Sequence, residues 1–235
     1  MAGLIEGLMA MALVRWLLRT LRRLLFWFLV LSVGVTIFYR FVPVAYTPLM
    51  FARGNAWSAK KKWVPMEKMC PDLVAAAIIA EDQRFNEHWG FDFSAMWDAW
   101  KYNRTHSGHK RGASTISQQT AKNVFLYPAR TYVRKILEAY FTVLIEVFWS
   151  KKRIVEVYLN VAEMGEGIYG VEAASQTYYG KSAANLNRDQ AAALISCLPS
   201  PRKWSPLRPA PFVAQRIAWV KAQIPNFPPS KYTFQ

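Results

Sequence analysis

From Leu24 to Tyr39 the chain carries no charged side chain, and most of that run is Leu, Phe, Val and Trp. Arg40 can snorkel, and Phe41 to Tyr46 continue the apolar character. The stretch therefore reaches the roughly 20 residues that a bilayer-spanning helix needs. Trp27, Tyr39 and Tyr46 are placed to sit at the interfaces. Arg15, Arg19, Arg22 and Arg23 precede it. A basic flank belongs in the cytoplasm, which puts the C-terminal body on the outer side. A cleaved signal peptide would need a small-x-small site, and Arg40-Phe41-Val42-Pro43-Val44-Ala45 lacks a good one, so the segment reads as an uncleaved anchor. Residues 4–23, interrupted by Glu6 and by arginines at three- to four-residue spacing, read as an amphipathic interfacial helix or a cytoplasmic extension. The expected organisation is a basic cytoplasmic segment (1–23), a transmembrane anchor (24–46), a juxtamembrane linker (47–70) and one folded body (71–235).

Charge narrows the partner. The net charge is +15, and removing the four Arg and one Glu of residues 1–23 still leaves +12. The excess belongs to the body and implies an anionic partner: membrane lipid, phosphate or pyrophosphate, or nucleic acid. The outer-side topology argues against nucleic acid. Two cysteines, Cys70 and Cys197, are too few for a disulfide framework, and Cys197 lies in the apolar run Ala191–Leu198 as a buried thiol.

The body reads as helices. Pro71-Asp72 opens one that runs through the apolar Leu73–Ala80 to Glu81, with Gly90 as a breaker. Asp92 caps a second, through Asn103. His106 and His109 lie in a basic polar stretch with no carboxylate or thiol adjacent, which argues against a metal site there. Ser114 or Thr115 caps a helix so polar that it either faces solvent or lines a polar cleft, with its N-terminal N–H groups and Lys122 as an anion site. Further helices are expected over Thr131–Trp149, Lys151–Glu163, Val171–Tyr179, Ala191–Leu198 and Phe212–Gln223, with Asn187 and Gln190 as a capping box. There is no strand alternation and no internal repeat, so the fold class is all-α, or mainly α.

Two carboxylates draw notice. Glu81 and Asp82 end a buried helix, although the negative end of a helix dipole suits acids poorly and an unpaired buried charge is costly. Either the helix emerges into solvent there, or a catalytic carboxylate is held at the mouth of a cleft. Arg134 and Glu138 share a face at i,i+4 spacing, either as a surface ion pair or with Glu138 in a pocket of a heavily apolar helix.

Glu81-Asp82-x-x-Phe85-x-x-His88-x-Gly90 resembles the first signature of the peptidoglycan glycosyltransferases. Gly112-x-Ser114-Thr115-Ile116-Ser117-Gln118-Gln119-x-x-Lys122-Asn123 resembles the second, and Arg134-Lys135-x-x-Glu138 the third. Lys151-x-x-Ile154-Val155-Glu156-x-Tyr158-Leu159-Asn160 is similar to the fourth, with Val155 where Leu is more usual. Gly170-Val171-x-x-Ala174 followed by Tyr178-Tyr179-Gly180-Lys181 is similar to the fifth. The resemblance covers about 70–210 and lies with the family's monofunctional members. The transpeptidase triplets Ser-x-Asn and Lys-Thr-Gly are missing, and no length is left for that domain.

The resemblance implies a lysozyme-like fold with a smaller membrane-facing lobe. It implies polymerisation of lipid II into β-1,4 glycan by inverting transfer from a polyprenyl pyrophosphate, for cell-wall synthesis at the bacterial inner membrane. Glu81 is then the general base and Glu138 a supporting catalytic carboxylate. Lys122, Arg130, Lys135, Arg84 and the helix start at Ser114 hold the pyrophosphate. Gln118, Gln119 and Asn123 suit sugar hydroxyls, and Phe85, His88 and Tyr158 are mainly structural. No cofactor is required and no metal-ligand set is expected, though the pyrophosphate leaves room for a divalent metal. The implied partners are lipid II, the growing lipid-linked glycan and the membrane, with cell-division or wall-synthesis proteins as candidates. Rivals are a glycan-cleaving enzyme of the same fold, an inactive wall-binding scaffold and a nucleic-acid binder.

Overall fold

A computed structural model describes residues 2–106, 108, 111–129, 131–228 and 234. It divides into two compact units, Met1–Val42 and Pro43–Gln235. The first is one helix, α1 (Ala2–Phe41), which runs through residues 23 and 24 without a break. Its segment Leu13–Phe41 is long and apolar enough to cross a membrane.

The second unit begins well before residue 71, because the stretch expected as a linker is folded. Thr47 accepts a hydrogen bond from the Met50 N–H and caps a short helix, α2 (Pro48–Ala52). Lys60–Lys61 forms strand β1, and Met66–Lys68 a single 3-10 turn. Eight further α-helices are described. α3 (Pro71–Glu81) is buried from Leu73 to Ile79, and burial of each of its large aliphatic side chains contributes about 1.5–3 kcal/mol. α3 packs on α9 (Arg188–Ser196) and α10 (Pro211–Gln223). The others are α4 (Phe93–Thr105), α5 (Ile116–Phe125), α6 (Tyr132–Phe148), α7 (Lys151–Val161) and α8 (Val171–Tyr179), with α5 packed between α6 and α7. Gly180 closes α8 in the left-handed conformation, at φ 66°.

The fold is mainly α, but three short strands depart from the sequence reading. β1 pairs in parallel with β3 (Ile168–Tyr169), and β2 (Glu163–Gly165) pairs with β3 in antiparallel fashion, giving the order β1-β3-β2. Strands of two or three residues are too short to display a two-residue period.

The sequence motifs knit the unit together. Lys151 donates to the His88 carbonyl at 2.6 Å and to Glu146 at 2.8 Å, with its ammonium over the Phe85 ring. Thr115 donates to the Gly90 carbonyl at 2.7 Å. Gly90 sits at φ 79°, and a Cβ there would lie 2.5 Å from Thr142 Cγ2, so only glycine fits. Asn160 is fully buried and exchanges two 2.8 Å bonds with the Val64 backbone.

Candidate active site

Glu81 is the last residue of α3, and its side chain is 11% exposed. It does not emerge into solvent. Gln119 Nε2 donates to Oε2 at 2.9 Å, and Arg216 donates to Oε1 at 2.9 Å and to the Ala80 carbonyl at 3.0 Å. Burial raises the Glu81 pKa, while Gln119, Arg216 and Lys122 oppose that rise. Burial thus makes Glu81 more basic than an exposed glutamate, and its cationic neighbours limit that rise.

Glu138 is buried on the inward face of α6 with Phe141, Thr142, Ile145 and Glu146. It is no surface pair: Arg134 Nη1 lies 2.5 Å from Oε2, and Lys135 holds Oε1. The apolar residues Tyr132, Ile136, Val143 and Val147 of the same helix point outward instead.

Lys122 is half-buried on α5 and forms no ion pair among the described residues. Burial lowers its pKa, and Glu138 and Glu81 act against that. It lines a cleft of about 630 Å³ together with Gln119, Asn123, Arg53, Arg134 and Tyr158. The cleft thus has a cationic wall with one cation unneutralised, a polar amide wall, and Glu81 directly behind Gln119.

Residues 51–224 match the transglycosylase family. The chain belongs to the transglycosylase family. The chain is 55% identical over 196 residues to a biosynthetic peptidoglycan transglycosylase of Bdellovibrio bacteriovorus, covering 80% of this chain and 78% of the relative. A protein of the same name from Caulobacter vibrioides is 55% identical over 208 residues, covering 86% and 89%. One from Pseudomonas putida is 46% identical over 226 residues, covering 93% and 95%.

Within this transglycosylase domain several expected ligands are already occupied. The start of α5 is not an open anion site. Asp82 Oδ2 accepts from the Ile116 N–H at 3.0 Å, so the protein's own carboxylate fills the place expected for pyrophosphate near Ser114. Ser114 is exposed, one residue before the cap Thr115. Gln118 is buried, and its side chain closes the capping box by accepting from the Thr115 N–H at 3.1 Å. Arg84 is bound by Asp92 and Ser94, away from the cleft lining. Lys135 serves Glu138, Asn123 lines the cleft, and Arg130 and His109 lie outside the described residues.

Arg216 escaped the sequence reading. It lies 135 residues from Glu81 along the chain. One signal was present: Val213 and Val220, the buried stripe of α10, flank it at three and four residues, so its guanidinium stem shares the inward face.

The carboxylates beside the cationic wall are engaged by cations: Glu138 by Arg134 and Lys135, and Glu163, which lines the cleft, by Arg53 at 3.6 Å. Asp82, His88 and Asp92 gather within 4.8 Å elsewhere, but His88 Nε2 lies 2.9 Å from Asp82, and Arg84 occupies Asp92.

Proposed function

We propose that this chain polymerises lipid II into linear β-1,4 glycan, with Glu81 as general base and Lys122 as the principal pyrophosphate ligand. The observation that carries the reading is a buried carboxylate of raised pKa, Glu81, one hydrogen bond behind Gln119 of the cleft wall, with the unpaired cation Lys122 on that wall. Glu81 accepts the proton of the acceptor sugar's 4-hydroxyl, and that oxygen attacks the anomeric carbon of the donor sugar. The bond from that carbon to the pyrophosphate oxygen breaks, and the leaving group departs with the electron pair toward Lys122 and Arg134. One displacement turns an α-linked donor into a β-linked product. Glu81 supplies about 10²–10⁴-fold as base, and the cations stabilise charge that develops as the bond breaks. Arg216 and Gln119 orient Glu81, and Glu138 holds Arg134 and Lys135 in place. No step runs through a metal.

The candidate span Leu13–Phe41 supports a single-pass anchor. The four arginines ahead of residue 24 support a cytoplasmic N-terminus and a body on the outer face of the inner membrane. Both substrates carry lipid tails, so the cleft works at that face. Wall-synthesis or division proteins are candidate partners.

Detergent-solubilised protein incubated with labelled lipid II is expected to give polymer that lysozyme degrades. Glu81→Gln should give none while folding normally. Near-normal turnover in that variant would remove Glu81 as base, and shortening of pre-formed glycan would indicate a cleaving enzyme.

A further inference from the structure

The helix α2 has two lined sides. Leu49, Ala52 and Arg53 face the cationic cleft. Met50 faces a second groove of about 330 Å³, with Val44, Tyr46, Trp57, Ala59 and Trp63 on its walls. The groove is apolar apart from Lys61, and the Lys61 ammonium is turned into the backbone, donating to the Val44 and Ala45 carbonyls. Tyr46 and Trp57 rim it with their rings 5.2 Å apart, and the Phe51 ring packs beside them, 6.0 Å from Tyr46 and 6.2 Å from Trp57. These rings are exposed, Trp57 at 83% and Phe51 at 54%, although apolar surface of this kind is ordinarily covered by a partner. The floor is rooted in a core cluster of Met50, Ala56 and Tyr169.

We propose that this groove binds the polyprenyl chain of the substrate whose pyrophosphate sits at Lys122. The inference rests on the polymerase reading given above and adds a subsite to it. Such a substrate is anionic at one end and apolar at the other, and the two depressions match it in that order. One short helix separates them, and a helix with its side chains is only about 10–12 Å across. A chain tethered to a pyrophosphate in the cleft passes over α2 and meets the aromatic rim next. Lys61 is turned away from an apolar ligand: two of its three donors are taken by the Val44 and Ala45 carbonyls.

Two measurements test this on the full chain in detergent. In the first, a polyprenyl pyrophosphate with a diazirine on its hydrocarbon chain is photolysed with the protein. Label is expected in residues 43–63, lost on adding excess unlabelled polyprenyl pyrophosphate and kept with excess phospholipid. Label confined elsewhere, or displaced equally by phospholipid as for a bilayer seat, overturns the proposal. In the second, Trp57→Ala and Phe51→Ala are assayed with lipid II bearing long or truncated chains. KM for the long-chain substrate should rise about tenfold, KM for the truncated one should not move, and Trp57→Phe should restore most of the difference. Equal changes for both substrates, or none, also overturn it. If the parent protein polymerises neither substrate, the polymerase reading fails, and the labelling result alone then decides the groove.

Discussion

Glu81 must lose its proton before it can accept one. Its pKa is raised mainly by burial, so the acid limb of kcat/KM should have its midpoint above the 4.5 of an ordinary glutamate. Arg216 opposes that rise. Arg216→Ala should therefore move the acid limb to still higher pH, and an unmoved limb would mean that Arg216 does not act through Glu81. The same shift sets a stability term. The folded state holds the Glu81 proton more tightly than the unfolded chain does, so this stabilisation is full below 4.5 and is lost as pH rises through the raised pKa. Glu81→Gln cannot ionise, so its melting temperature relative to the parent should improve as pH rises across that window. Lys122 has the opposite sense: burial lowers its pKa, so its charged form costs the fold stability at neutral pH. Lys122→Ala should lose most turnover and keep or gain melting temperature. Equal losses in both would make Lys122 a structural residue.

At the scale of elements, the cleft depends on where α5 begins. Thr115 accepts from the Gln118 N–H, donates to the Gly90 carbonyl, and shares a capping box with the Gln118 side chain. Thr115→Ala removes both hydroxyl bonds and leaves the Gln118 side chain on the backbone N–H of residue 115, and loss of such a cap costs about 1–2 kcal/mol. For a chain of this size each kcal/mol is worth about 2–4 °C, which thermal unfolding would resolve. The same helix shows what could be read without coordinates. Its polar face signalled a cleft wall, and Gln119, Lys122 and Asn123 do line one. Gln118 shares the motif but closes the cap, and Ser114 stands exposed ahead of it, because a helix start satisfies its own N–H groups first, here with Asp82 and Thr115. Spacing alone could not separate the two sets. The caps Asp92 and Asn187 were legible because a cap is a local event. Arg216 was not, since its partner is fixed by how α10 packs on α3. β1 and α2 were read as linker because neither carries enough residues for a period to appear.

At the scale of the whole chain, the charge distribution and the chemistry make the same demand. The donor and acceptor are tethered to lipid, and the body keeps a net +12 once residues 1–23 are set aside. Those cations cannot all be orientation signals, because Arg53, Lys122 and Arg134 line the cleft and Lys61 and Lys62 are tied to the fold. On the proposed topology, orientation falls to Arg15, Arg19, Arg22 and Arg23, which lie within the turns ahead of the longest uncharged run. A reporter that is active only outside the cytoplasm, fused after Gln235, should be active on the parent chain. Replacing the four arginines with glutamine should divide the population between two orientations, since Lys60, Lys61 and Lys62 would then dominate the charge near the span. Glycan synthesis in cells should fall with the outward fraction, while the solubilised variant, freed of any orientation, should polymerise lipid II at the parent's rate. An inactive reporter on the parent chain would overturn the topology. A loss of rate in detergent would show that the arginines act on the body and not on its placement.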